Sequence, residues 1–181
     1  MEAHQMIPEP ERRHRATVYL SLGSNEGESV RILATAIEQL DLLEESCVAA
    51  VSRVYRTKPI GYEDQADFLN LAVQLSTSLD PWALLASVHR LERDAGRTRE
   101  NRPVWGPRPL DIDILWYDGR TVDRDRLRVP HPRMQERRFV LEPLAEIAPD
   151  LELADGRTVR QSLREVCDQE VELVGPVPSR G

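Results

Sequence analysis

Cysteine is almost absent. Cys47 and Cys167 are the only two, far apart and without C-x-x-C spacing. That excludes a disulfide framework, gives no sign of a zinc site, and fits free thiols in a reducing cytosol. No stretch approaches the roughly 18 consecutive apolar residues of a membrane span. The opening "MEAHQMIPEPERRHRA" has no apolar run behind its charges, so it does not read as a secretory signal. Lysine is scarce too: Lys58 is the only one among 24 basic residues. The other cations are arginines, whose planar fork matches phosphate oxygens bidentately, although codon bias would produce the same count. A G-x-x-x-x-G-K-[ST] string is lacking, which excludes a P-loop.

What remains is an acidic chain of 181 residues with a net charge of −7, long enough for one domain with a proper core. The charge is uneven. From His89 to Arg138 there are thirteen Arg against nine Asp and Glu, a local +4. A basic middle in an acidic chain suggests a local anion site rather than a surface that coats nucleic acid or membrane.

Periodicity divides the chain. Residues 1–15 read as a disordered arm, 16–170 as one domain, and 171–181 as a loose tail. "TVYLSLGSN" predicts a strand from Thr17 to Leu22, and Val30, Leu33, Ile37 and Leu40 predict a helix over 28–43. "GSNEG" between them could hold an anion, but reads better as a turn and helix cap. "CVAAVSRVYRT" predicts one strand. In "FLNLAVQLST", Leu69, Leu71, Val73 and Leu75 share one face, with Phe68, Asn70, Ala72 and Gln74 on the other. Asp80 and Pro81 start a helix that Gly96 ends. An aperiodic Arg/Pro-rich loop follows, then the strand "LDIDILWY", with Leu110, Ile112, Ile114 and Trp116 on one face and Asp111, Asp113, Leu115 and Tyr117 on the other. Further helices are expected near 135–146 and 159–166. The order points to an α+β, ferredoxin-like sandwich. Its sheet is mainly antiparallel, with helices on one face and catalytic loops over the other.

Asp111 and Asp113 would then stand on the open face. Carboxylates at i and i+2 project in parallel, roughly 6–7 Å apart at Cβ given the strand rise. That suits one or two Mg²⁺ ions completed by phosphate oxygens and water, or else salt bridges to nearby Arg. The loop just before them carries Arg97, Arg99, Arg102 and Arg108. Dicarboxylate, Arg loop and Gly/Pro hinges together look like a nucleoside-triphosphate site.

The strings "YLSLGSN", "YRTKPIG", "DFLNLAVQLST", "AGRTR", "WGPRPLDIDIL" and "VPHPRM", in this order, resemble 6-hydroxymethyl-7,8-dihydropterin pyrophosphokinase of folate synthesis. The resemblance runs from about Val18 to Leu163. It implies a ferredoxin-like fold and transfer of pyrophosphate from ATP to the dihydropterin hydroxymethyl group, leaving AMP. It implies two Mg²⁺ ions on Asp111 and Asp113. Thr57, Pro59, Ile60, Phe68, Asn70, Trp105 and Phe139 match pterin-pocket positions, and Glu92, Arg99, Arg126, His131 and Arg137 match the nucleotide side. Arg97 and Arg108, with His131, match groups that stabilise charge on the phosphates. The small molecules ATP and dihydropterin are the implied partners, with room for association with other folate enzymes and none for nucleic acid or membrane.

Three departures stand out: Val104 where many relatives have Arg before the Trp, with Arg102 a possible substitute; Pro132 where many have Tyr; and Glu100 where Lys is common. They leave open a degenerate homologue acting as a binding or regulatory subunit. A ferredoxin-like nucleic-acid module is the other rival. The acidic D-x-D and the lack of a paired aromatic platform on neighbouring strands argue against it.

Overall fold

The computed structural model describes residues 15–59, 61, 64–96 and 106–178. The expected N-terminal arm lies almost wholly outside them, as do Ile60, Arg97, Arg99, Glu100, Arg102, Val104 and Trp105.

In chain order the elements are β1 (Ala16–Ser24), α1 (Ser29–Asp41), β2 (Ser46–Val51), β3 (Val54–Thr57), β4 (Phe68–Thr77), α2 (Pro81–Asp94) and β5 (Asp111–Tyr117). A small hairpin of β6 (Val122–Arg124) and β7 (Leu127–Val129) follows, then α3 (Arg138–Ile147), α4 (Val159–Glu165) and β8 (Glu172–Gly175). The main sheet runs β5-β1-β4-β3-β8, with β2 also on β4, and every pairing is antiparallel. The single strand expected over "CVAAVSRVYRT" is interrupted at Ser52. There the Ser52 amide donates to Ala72 O (2.9 Å), while Ser52 Oγ accepts from the Ala72 amide (2.8 Å). The side chain thus stands in for a ladder carbonyl where the strand bends. The tail, expected to be loose, instead adds β8 to the edge of β3.

Local chemistry explains the helices. Asp80 caps α2 by accepting from the amides of Trp82 and Ala83, with Pro81 at the first position, and Gly96 closes it at φ 93°. Thr158 and Gln161 form a reciprocal capping box on α4. By contrast Glu28, not "GSN", precedes α1, and it makes no side-chain cap.

Helices cover both faces of the sheet, which corrects the one-sided expectation. On the first face, Leu33, Ala36 and Leu40 of α1 and Leu84, Val88 and Leu91 of α2 pack on Val18, Leu20, Leu71, Val73, Ile112 and Ile114. On the second, Val140, Leu141 and Leu144 of α3 and Val159 of α4 bury Tyr19, Ala72 and Leu115. Sequence periodicity misses this because α3 covers only part of that face. Along β1 the second-face residues run Tyr19, Ser21, Gly23. The helix sits where they are large and apolar, and the sheet opens where they become small.

A register shift between Tyr19 and Leu20 changes the far end of β5. Tyr19 pairs with Trp116 but Leu20 with Ile114, leaving Leu115 as the extra residue of a bulge. Trp116 therefore crosses to the second face, against Tyr19 (ring centroids 5.7 Å apart), while Tyr117 joins the first core. A strict alternation predicts the reverse for both.

Candidate active site

The open part of the second face is a trough. Its floor is Ser21 and Gly23 of β1, flanked by Asn70 of β4 and by Asp111 and Asp113 of β5. Gly23 pairs with Asn70 on one side and Asp111 on the other, and Ser21 pairs with Asp113. A Cβ on Gly23 would come within 3.0 Å of Asn70 Oδ1, so the missing side chain is what leaves room there. Thr57 from β3 fixes the Asn70 amide, its Oγ1 accepting from Asn70 Nδ2 at 2.8 Å; both residues are buried. A neutral amide so held turns its remaining donor and acceptor capacity to a ligand edge.

Two cavities meet here. The larger, about 440 Å³, is lined by Phe68 from β4 and by Arg137 and Phe139 from the start of α3. The smaller, about 330 Å³, lies toward α2 and β7 and is lined by His89, Glu92, Arg126, Arg128 and His131. Asp111 and Asp113 line both, as the wall they share.

Several contacts hold that wall. Arg108 Nη1 donates to Asp111 Oδ2 at 2.8 Å, and its guanidinium carbon lies 5.9 Å from the Phe68 ring centre. The Arg108 backbone is clamped by Asn25: the Asn25 amide donates to Arg108 O (3.1 Å), and the Arg108 amide donates to Asn25 Oδ1 (2.8 Å). Asn25 Nδ2 also donates to Gln65 Oε1 and Ala66 O, just ahead of Phe68. Gly23 and Ser24, expected in a turn, continue β1, and Asn25 just past its end ties together the loops on either side of the trough. Glu92, only 3% exposed, reaches from α2 to accept from the amide of Ile112, which stands between the two aspartates. The amide of His131 donates to Leu115 O at the bulge (2.8 Å), anchoring the "VPHP" loop on the edge strand.

Electrostatically the site sets arginines against carboxylates: Arg108, Arg133 and Arg137 share the larger cavity with Asp111 and Asp113. Burial, then the positive charges of Arg137 and Arg133, push the His131 pKa down to about 4, so its imidazole is neutral near pH 7. Arg137 is also lowered, chiefly by burial, with Asp113 opposing the shift. The donor set fits Mg²⁺. Among the described residues no three His, Cys, Asp or Glu side chains gather as a metal cluster. Two strand carboxylates would leave most of an octahedral shell to water and phosphate oxygens, which is how Mg²⁺ is usually held.

Of the residues singled out from sequence, Thr57, Phe68, Asn70, Arg108, Asp111, Asp113 and Phe139 meet at the larger cavity. Glu92, Arg126 and His131 meet at the smaller. Arg137, expected on the nucleotide side, lines the larger cavity instead. Pro59 lines neither, although Lys58 and Gly61 around it do line the larger. Sequence reasoning passed over Ser21, His89, Arg128 and Arg133, and read Gly23 and Asn25 as parts of a turn and helix cap. His89 was discoverable, since it lies one helical turn before Glu92. The floor residues carry no signal without strand register.

Comparison with known proteins identifies the family. The family model described as 7,8-dihydro-6-hydroxymethylpterin-pyrophosphokinase (HPPK) matches residues 19–149. The 2-amino-4-hydroxy-6-hydroxymethyldihydropteridine pyrophosphokinase of Bacillus subtilis is 48% identical over 134 residues, covering 74% of this chain and 79% of that one. Its namesake from Methylorubrum extorquens is 47% identical over 156 residues, covering 86% and 97%. Among solved structures, an HPPK-DHPS in complex with substrates superimposes with a TM-score of 0.67 at 17% identity, covering 85% of this chain. This chain spans 44% of that longer one. The chain belongs to the 7,8-dihydro-6-hydroxymethylpterin-pyrophosphokinase family, enzymes of diphosphoryl transfer.

Proposed function

We propose that this chain transfers the β,γ-pyrophosphoryl group of ATP to the hydroxymethyl oxygen of 6-hydroxymethyl-7,8-dihydropterin, in tetrahydrofolate synthesis. The observation that carries this reading is the shared wall: Asp111 and Asp113 line both cavities, so one pair of carboxylates faces two ligands at once. The larger cavity suits the pterin. Phe68 and Phe139 offer faces for a flat ring, and Asn70, held by Thr57, can read its donor–acceptor edge. The smaller, with Arg126, Arg128, His89 and His131, suits the nucleotide and its phosphates.

In the reaction the hydroxymethyl oxygen forms a bond to the β-phosphorus and the Pα–O–Pβ bridge breaks. Its electron pair leaves on AMP, and one proton is released to solvent. Mg²⁺, in a complement of two ions on Asp111 and Asp113, would supply charge neutralisation across the polyphosphate. The chain's own groups position the reactants and meet developing charge: Arg108 from its Asn25-clamped loop, Arg137 at the start of α3, and His131 as a neutral hydrogen-bonding group. Arg97, Arg99 and Trp105 belong to the same reading through the family resemblance alone. The strand order, with β4 between β1 and the β2–β3 segment, supports a ferredoxin-like description of the sandwich. Cytosolic residence and association with a further folate enzyme also fit; no described helix is long and apolar enough to cross a membrane, and structural neighbours are HPPK-DHPS proteins.

The deciding experiment measures AMP release from ATP, Mg²⁺ and the dihydropterin, omitting each in turn. AMP formed only with all three together is the expected result. Folded protein releasing no AMP would overturn the reading in favour of the degenerate homologue.

A further inference from the structure

The start of α3 lacks a cap of its own. Arg137 precedes the helix with no side-chain hydrogen bond to its first turn. Yet this turn carries Arg137 and Phe139, which form one wall of the larger cavity. Free amides at a helix start need partners. Here the partner comes from 31 residues downstream: Gln169 Oε1 accepts from the Arg138 amide (2.9 Å), while Gln169 Nε2 donates to Glu136 O (2.8 Å). Between the two wall residues, the Arg138 side chain turns away from the cavity. Its Nη1 donates to the carbonyls of Cys167 and Gln169, and its Nε pairs with Glu142.

The same segment is tied to another wall of that cavity. Immediately after Gln169, Glu170 pairs with Lys58, and β8 pairs with β3, placing Glu172 against Arg56. β3 ends at Thr57, which orients Asn70. Residues 167–175 therefore link the Thr57–Asn70 side of the cavity to the Phe139 side, in addition to the direct packing of α3 on the sheet. The Lys58–Glu170 and Arg56–Glu172 pairs are largely exposed and add little. The strand ladder and the half-buried Gln169 hold this link. All of it lies beyond residues 19–149, the part matched by the family model.

We propose that Gln169 is a positioning residue for the dihydropterin. By capping α3 across this link, it fixes Phe139 and Arg137 at the width the pterin ring needs, without touching the ligand. This rests on the larger cavity being the pterin pocket, as argued above.

The test uses the full chain and calorimetric titration with a non-hydrolysable ATP analogue plus Mg²⁺, and then with 6-hydroxymethyl-7,8-dihydropterin on the analogue-bound protein. Gln169→Leu removes both hydrogen bonds at similar volume. It should weaken dihydropterin binding about five- to tenfold, the scale of one lost net hydrogen bond or somewhat more, and leave the analogue within about twofold. Gln169→Glu keeps an acceptor for the Arg138 amide and should fall between the two. Dihydropterin binding unchanged in Gln169→Leu, or equal losses for both ligands, would overturn the proposal. If Gln169→Leu does not fold, Gln169→Glu decides by the same comparison. Wild-type protein that binds no dihydropterin would overturn the pocket assignment and this role together. Normal wild-type binding with an unaffected variant would overturn this role alone.

Discussion

Replacing Gly23 by alanine tests the trough at its narrowest point. The new Cβ would lie 3.0 Å from Asn70 Oδ1 and 3.9 Å from Phe68 Cδ1, and no other described residue outside its chain neighbours comes within 4 Å. The first contact is shorter than the roughly 3.5 Å at which heavy atoms stop attracting. Gly23 sits in β1, hydrogen-bonded on both sides to β4 and β5, so the strand cannot easily retreat. Asn70 must yield by a few tenths of an ångström, and its 2.8 Å bond to Thr57 Oγ1 is strained as it does. Asn70 is 3% exposed and Thr57 7%, so the displaced groups find little water. Displaced, Asn70 no longer meets the pterin edge squarely, and a polar group left unpaired on binding costs about 1–3 kcal/mol, roughly five- to a hundredfold in affinity. The pterin should bear this loss. No Asp111 atom is near the new methyl, so an ATP analogue with Mg²⁺ should bind within about twofold of wild type. Calorimetric titration of both ligands reads the difference. The same substitution in an Asn70→Ala background should be almost silent, because the clashing atom is gone. Pterin affinity unchanged by Gly23→Ala, or both ligands weakened alike, would refute the assignment of Asn70 to the pterin.

The remaining predictions concern the shared wall. Asp113→Ala should lower turnover about a hundredfold or more while the far-UV spectrum and the cooperative melt persist; near-normal turnover would remove Asp113 from the metal site. Glu92→Leu orphans the Ile112 amide and should cost about 1–3 kcal/mol in urea unfolding, whereas Glu92→Gln keeps an acceptor oxygen and should cost clearly less; equal losses would mean that the bond to Ile112 is unimportant. His131 has a folded pKa of about 4, below its unfolded value near 6.5. As pH falls from 6.5 to 4 the unfolded chain takes up a proton that the folded one refuses, so stability drops over this window, by about 1–3 kcal/mol after allowing for partial solvation. His131→Asn should flatten that part of the profile, and identical acid slopes would contradict the burial of the imidazole.

Much of this protein is legible along the chain. Alternation in "FLNLAVQLST" and the Asp80–Pro81 start of α2 predict their elements because side-chain period and caps are local properties. The D-x-D pair after an Arg-rich loop marks the site for the same reason, since neighbouring strand residues of one parity must share a face. What only the tertiary structure decides depends on pairing between distant segments. The bulge at Leu115 exchanges Trp116 and Tyr117 between faces, and nothing in "DILWY" encodes it; it follows from how β5 registers on β1. The second helical layer depends on where along β1 the residues shrink from Tyr19 to Gly23. Asn25 and Gln169 look like ordinary loop residues until folding carries them to partners 83 and 31 positions away. Local sequence specifies which groups are present and which way each element faces them. The width of the trough, and which charges close on it, come from contacts between elements far apart in the chain, because only packing and register bring those groups within hydrogen-bonding distance.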